Sequence, residues 1–296
     1  MKNNTLESLS IGFFDSLKMV SQLQCPKRRL LSYEELPAHL LLMHDNQYIR
    51  KGYHPPTKSW QECWSLLWSA HSETINIWSH MIGSALFLGF LLKDLNNGLE
   101  TDYWITLIYD LGSFFTFTFS ALYHWFHIQS ETHHNTCLCL DHLGIEIKIF
   151  VDSIKFMHRL VGDEKLFNSY IIIQSYGFAT AIMLLYKCLT SMKYGKIMNT
   201  SFGPTVRLLL LASHVVILNT SIYHYFNEAN GAIIYTGHDH LIALLYTEIS
   251  LAISISIYVL KFPESIWPGK FDTYFNSHQI MHVATLFTAI YVRYYS

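Results

Sequence analysis

The sequence predicts an all-α membrane protein, with seven transmembrane helices preceded by a short N-terminal cytosolic helix. Three observations carry that expectation. The first is composition. Of 296 residues, 51% are hydrophobic, 15% aromatic and only 14% charged, against about 25% charged in soluble domains. The second is seven mostly apolar stretches, each close to the roughly 20 residues a helix needs to cross hydrocarbon. They fall at about 76–95, 104–127, 138–157, 168–188, 205–226, 240–261 and 277–295. The third is the placement of Lys and Arg. They are concentrated in the N-terminal arm and in the loops on its side, which orients the N-terminus inward and the C-terminus outward.

The arm comes first. Its first 70 residues hold Lys27, Arg28, Arg29, Arg50 and Lys51 and lack an early apolar run, so they do not read as a signal peptide. They read as a soluble arm with a short helix from about Tyr33 to Gly52. The simplest organisation is this arm over residues 1–70 and one membrane domain over 71–296. A net charge of −2 argues against nucleic acid as a partner. Seven prolines and fourteen glycines exclude a disordered or collagen-like chain. The five cysteines, Cys25, Cys63, Cys137, Cys139 and Cys188, have no zinc-finger spacing and read as packing residues. Neither inverted repeats nor short broken helices in matching positions suggest a transporter.

The spans bring particular side chains to one depth. Ser120 and His124 are four residues apart and share a face near the inner end of the second span. Asp141 opens the third span on the same side. His278 and His282, again four apart, open the seventh. Two histidines one helical turn apart can share an ion, and a third completes the three-ligand set of a catalytic zinc site. A lone histidine in a span reads as a hydrogen-bonded interior residue. Three at one depth beside a carboxylate favour a metal, because ionisable groups inside a membrane domain are functional candidates.

The third span is unusually polar. At about 100° per residue, Asp141, Lys148, Asp152 and Lys155 form a stripe roughly 60° wide, with Glu146 opposite. Such a stripe faces the bundle interior rather than lipid. Two readings are open: a Lys148–Asp152 ion pair, or Lys148 lining a lipid cavity and holding a carboxylate.

Several motifs carry a resemblance. Ser120-Ala-Leu-Tyr-His124 followed by Asp141 resembles the S-x3-H…D element of the progestin and adipoQ receptor family, which includes adiponectin receptors, fungal zinc-homeostasis membrane proteins and bacterial haemolysin-III-like proteins. Phe262-Pro-Glu-Ser-Ile-Trp-Pro-Gly-Lys-Phe-Asp272, then Ser277-His-Gln-Ile-Met-His282, is similar to its C-terminal signature. Glu73, Asn76 and His80 are similar to its element at the start of span one, and Gly52-Tyr53-His54-Pro55 to the segment before it. The likeness covers about residues 33–295 and is strongest to the fungal branch. Departures include Lys261 for Arg, Ser265 for a basic residue, Phe275 where Gly is common, and His142 where Tyr is usual.

The resemblance implies seven helices and a zinc ion near the cytosolic face, with His124, His278 and His282 as ligands. Ser120 and Asp141 would hold or polarise the water on the zinc. It also implies a ceramidase-like amide hydrolase acting in lipid and zinc homeostasis, with ceramide or a fatty acid as membrane-lipid partner. The rival expectations are a receptor or metabolic regulator with a structural zinc and an extracellular protein ligand. The expected location is the plasma membrane or the endoplasmic reticulum and endomembranes. Glu73, Asn76 and His80 are expected to tie span one to its neighbours, not to bind metal.

Overall fold

The structure, a computed structural model, describes residues 29–41, 46–97, 103–160, 164–190 and 238–295. It is mostly helical. A small antiparallel pair, β1 (Leu31–Ser32) and β2 (Lys51–Tyr53), brackets a 3-10 turn (Tyr33–Glu35) and α1 (Ala38–Leu41). Then come α2 (Trp60–Leu66) and the long helices α3 (Thr74–Asn97), α4 (Tyr103–Phe126), α5 (Glu131–Leu160), α6 (Glu164–Thr190), α7 (His238–Val259) and α8 (Ser277–Tyr295).

Six of the expected spans fall on these long helices, and the one expected at 205–226 lies outside the described residues. By length and apolarity α3, α4 and α7 qualify as membrane-crossing, over Thr74–Asn96, Tyr103–Phe126 and Ile242–Val259. The third span was expected from residue 138, but α5 begins at Glu131. Ser130 caps it: its hydroxyl accepts from the His133 amide at 3.2 Å, and its carbonyl accepts from the His134 amide at 2.8 Å. A serine at that position satisfies amides the first turn leaves open, and it extends the helix through a polar stretch that hydropathy alone passes over.

The long helices are built inside out relative to a soluble bundle. Ile82, Leu86, Leu111, Phe115, Ile249 and Ile253 are exposed, while Asn76, Asp110, Ser113, Thr116 and Ser120 are buried. A helix surface of that kind suits lipid. Helices α3 and α4, α4 and α5, α5 and α6, and α7 and α8 pack side by side, α8 returns against α3, and α7 also touches α5. Helices α4 and α5 approach closely. A Cβ on Gly144 would lie 3.1 Å from the Thr116 Cα. The Thr116 hydroxyl meets the carbonyls of Gly112 (2.9 Å) and Gly144 (2.7 Å).

The charged stripe on α5 does face inward. Lys148 and Lys155 are buried, and the Lys148 ammonium pairs with the Asp152 carboxylate while also donating to the Tyr109 hydroxyl at 3.1 Å. The ion-pair reading of the stripe is therefore the observed one. Lys155 donates to the Arg293 carbonyl at 2.9 Å, and the Arg293 guanidinium bridges Asp94 (2.5 Å) and Asp110 (3.1 Å). Glu146, on the opposite face, is buried as well, so α5 is enclosed from both sides.

The arm differs from the expected continuous helix over Tyr33–Gly52. A capping box between Ser32 and Glu35 closes the 3-10 turn, Pro37 follows at once, and Gly52 sits at φ +96°. These breaks favour short elements over one helix. The described part of the arm packs on the bundle. Leu36, Leu40, Ile49, Tyr53 and Leu66 share a core with Ile77 of α3 and Trp125 of α4.

The loop between α7 and α8 is stitched to the arm. The fully buried Glu264 carboxylate accepts from the Asn46 amide group at 2.8 Å and from the Ser277 amide at 2.8 Å, and also from the Ser277 hydroxyl. Asp272 accepts from the Arg50 amide at 2.9 Å. Phe275 ends this loop at φ +63° with its ring exposed. That is the left-handed region, which costs a side-chain-bearing residue about 1–2 kcal/mol, and it explains why glycine suits this position. Phe275→Gly is expected to raise the free energy of unfolding by about 1 kcal/mol after the entropic cost of glycine. Thermal denaturation in detergent checks this; a lowered midpoint would mean that the ring holds the loop.

Candidate metal centre

The cluster is assembled from two helix ends. On α4, Ser120 and His124 stand one turn apart and both are buried. On α8, Asn276 caps the helix by accepting from the Gln279 amide at 3.1 Å, which fixes the first turn where His278 sits. Gln279 then donates from its side chain to the carbonyls of Ser72 and Thr273, each at 2.8 Å. The start of α8 is thus held to both the loop before it and the segment leading into α3.

The expected convergence of histidines is present. His124, His278 and His282 each offer a ring nitrogen within 4.8 Å of the others. Their ring centroids are 5.0 Å apart for His124–His278, 4.6 Å for His124–His282 and 4.7 Å for His278–His282. Ser120 lies one turn before His124 on the same face. Asp141 is half-buried on α5, and its carboxylate stands outside the 4.8 Å group.

Glu73, expected from the sequence to tie span one to its neighbours, has a sharper role. The His124 Nδ1 lies 2.7 Å from the Glu73 carboxylate, which also accepts from the Asn76 amide group at 2.7 Å. An ionised carboxylate only accepts, so Nδ1 carries the proton and Nε2 keeps its lone pair. That Nε2 is buried with no hydrogen-bond partner among the described residues, and so is Nδ1 of His282. Buried lone pairs without a donor are costly, and an ion is the partner that three converging imidazoles suit. The residues therefore fit a metal. The signal available in the sequence was an acidic residue at the mouth of span one, at the depth of His124.

The surroundings fix the rings. His80 stacks on His282 at 3.9 Å between centroids, offering it a ring face. Tyr258 meets His278 edge-on at 5.1 Å. Beside His124 lies a cavity of about 10 Å³, room for about one water. It is lined by His71, Glu73, His124 and His127 and by Tyr53 and His54 of the arm. Burial holds His71 neutral, with its pKa lowered to about 4, and its Nδ1 accepts from the Glu73 amide at 3.2 Å. Cys63 is unbridged beneath this layer, its thiol pushed up by burial.

The profile of the family described as "Haemolysin-III related" matches residues 68–292, a stretch holding Glu73, Ser120, His124, Asp141 and both α8 histidines. The chain belongs to the haemolysin-III-related family. Among its relatives are "Progestin and adipoQ receptor-like protein 1" of Caenorhabditis elegans, 26% identical over 90% of this chain and 60% of its own length. "ADIPOR-like receptor IZH2" of Saccharomyces cerevisiae is 28% identical over 89% of this chain and 81% of its own length. "Heptahelical transmembrane protein 1" of Arabidopsis thaliana is 27% identical over 89% of this chain and 79% of its own length. The chain therefore spans about 60% of the length of the worm relative. Family and apolar helices together make this haemolysin-III-related chain an integral membrane protein.

The Glu73–His124 contact is open to direct test. An outer carboxylate that orients a ligating imidazole is worth on the order of 10–100-fold in metal affinity. Glu73→Gln is expected to lower affinity for zinc by that order, measured by competition with a chromophoric chelator. Unchanged affinity would show that His124 is held without Glu73.

Proposed function

We propose that this protein is a seven-span, zinc-containing lipid amide hydrolase of ceramidase-like type, with its N-terminus cytosolic. The observation that carries the reading is the three-histidine cluster at one end of a lipid-faced bundle, in which Nε2 of His124 and Nδ1 of His282 are buried with no hydrogen-bond partner among the described residues. His124, His278 and His282 would hold the ion. A zinc ion held there would supply Lewis acidity and bring the pKa of a water near 7.

The chain's own residues supply the rest. Asp141, half-buried one helix away, would accept a proton from the attacking water as the water oxygen adds to the amide carbonyl carbon. The proton then passes to the amine as the C–N bond breaks, leaving a carboxylic acid and an amine. Ser120, one turn from His124, holds the water with its hydroxyl. Glu73 keeps His124 in the tautomer that presents Nε2. The fifth of the seven spans in this reading is the stretch at 205–226, and the substrate class is a membrane lipid, ceramide, with a fatty acid as product. Plasma membrane and endomembranes both suit such a substrate.

A second reading is favoured by the relatives' names, two of which call the protein a receptor. In it the same cluster holds a structural ion and the protein responds to an extracellular protein ligand without turnover. The two readings separate on Asp141. Under the hydrolase reading, Asp141→Asn keeps zinc and loses ceramide hydrolysis by roughly 100-fold or more, because an amide cannot take the proton. Purified protein given ceramides of several chain lengths, with and without a chelator, is the measurement. Absence of chelator-sensitive release in the unmodified protein, or equal release by the Asn variant, would overturn the hydrolase reading.

A further inference from the structure

Helix α2 carries an exposed face of the wrong chemistry for water. Ser59 caps it by accepting from the Glu62 amide at 3.3 Å. Its buried side is Cys63 and Leu66. On the opposite side, where a water-facing helix places charges, stand Trp60 (54% exposed) and Trp64 (54%), continued in the next turn by Trp68 (74%). A spacing of four sets Trp60 and Trp64 about 40° apart on α2, and Trp68 follows in the turn that closes it.

This face continues the surface of the membrane-crossing helices. Trp60 leans edge-on against Phe126 at 5.2 Å, Trp64 against Trp125 at 4.6 Å, and Trp68 against Trp78 at 6.0 Å. Phe126 and Trp125 end α4, and Trp78 lies in the first turns of α3. The indole N–H of Trp125 donates to the Cys63 carbonyl at 2.7 Å, and that of Trp78 to the Leu67 carbonyl at 3.0 Å. Two hydrogen bonds, the one from Trp125 buried, thus fasten α2 to the ends of two spans and aim its indoles outward. Indoles settle where hydrocarbon meets headgroups, since the ring is apolar and the N–H stays wet.

We propose that α2 is a membrane-interface anchor whose three tryptophans enter the headgroup–acyl boundary of a phospholipid bilayer at the metal-cluster end of the bundle. The partner is the lipid surface itself, and the proposal rests on α3 and α4 crossing the membrane. Because α2 is fastened beside the segment that delivers Glu73, lipid contact there also steadies the wall of the candidate metal centre.

The test uses the full chain in lipid nanodiscs. Trp60→Phe, Trp64→Phe and Trp68→Phe each keep a ring against its neighbour, and the emission each removes is assigned to that indole. Lipid brominated near the headgroup end of its acyl chains is one quencher and aqueous iodide the other. Each removed emission is expected to have been quenched by more than half by brominated lipid and little by iodide. Quenching by iodide instead would place the face in water, and quenching by neither would place it against protein, a second copy included. Either result overturns the anchor. Trp104→Phe, in α4 with an indole 43% exposed, is the control. If Trp104 answers to brominated lipid while the α2 indoles do not, the anchor fails and the membrane assignment stands.

Discussion

Hydrocarbon offers no hydrogen bonds, so each polar group carried on a spanning helix must find its partner inside the bundle. This constraint organises the described structure. Arg293 is neutralised by Asp94 and Asp110, Lys148 by Asp152, and Lys155 rests on the Arg293 carbonyl. Thr116, Thr247, Ser254 and Thr288 return their hydroxyls to carbonyls four residues earlier. Against that rule of internal satisfaction, the cluster of His124, His278 and His282 stands out. There Nε2 of His124 and Nδ1 of His282 are buried with no donor among the described residues, where the ends of α4 and α8 bring three imidazoles together.

The same end of the molecule is where the arm is folded in. Glu264 and Asp272 are buried acids in the loop before α8, and both are occupied by groups from residues 46–50. The loop therefore delivers α8 in a fixed position, and Asn276 starts the helix so that His278 and His282 present one face. From the other side Glu73 fixes the tautomer of His124. The arm, the loop and the segment ahead of α3 act as one clamp around the cluster, while the charged network on α4, α5 and α8 secures the rest of the bundle.

Much of this was legible in the sequence. Spans were readable because lipid-facing helices must be long and apolar, and the histidine convergence followed from helical period and chain reversal. The stripe on α5 followed from period alone, and its inward direction from the cost of charge in lipid. What escaped was set by contacts distant in sequence. The arm was read as a helix because its apolar residues recur suitably, whereas Ser32, Pro37 and Gly52 impose breaks and the loop at 264–276 supplies pairing partners. The start of α5 escaped because a capping serine is a local polar signal that hydropathy ignores. Glu73 was seen on the right helix face, but its pairing with His124 joins residues 51 apart in sequence and needs the fold. The unusual residue at 275 was visible by comparison with the family pattern; its left-handed backbone required coordinates.

The central claim is that the three imidazoles form one metal site. Elemental analysis of purified protein tests it most directly, comparing the unmodified chain with a His278→Ala, His282→Ala double variant that still folds by circular dichroism. The account predicts close to one zinc per chain in the former and nearly none in the latter, since a single remaining imidazole holds zinc poorly. Equal zinc in both, or a folded unmodified protein that takes up none when zinc is supplied, would contradict it.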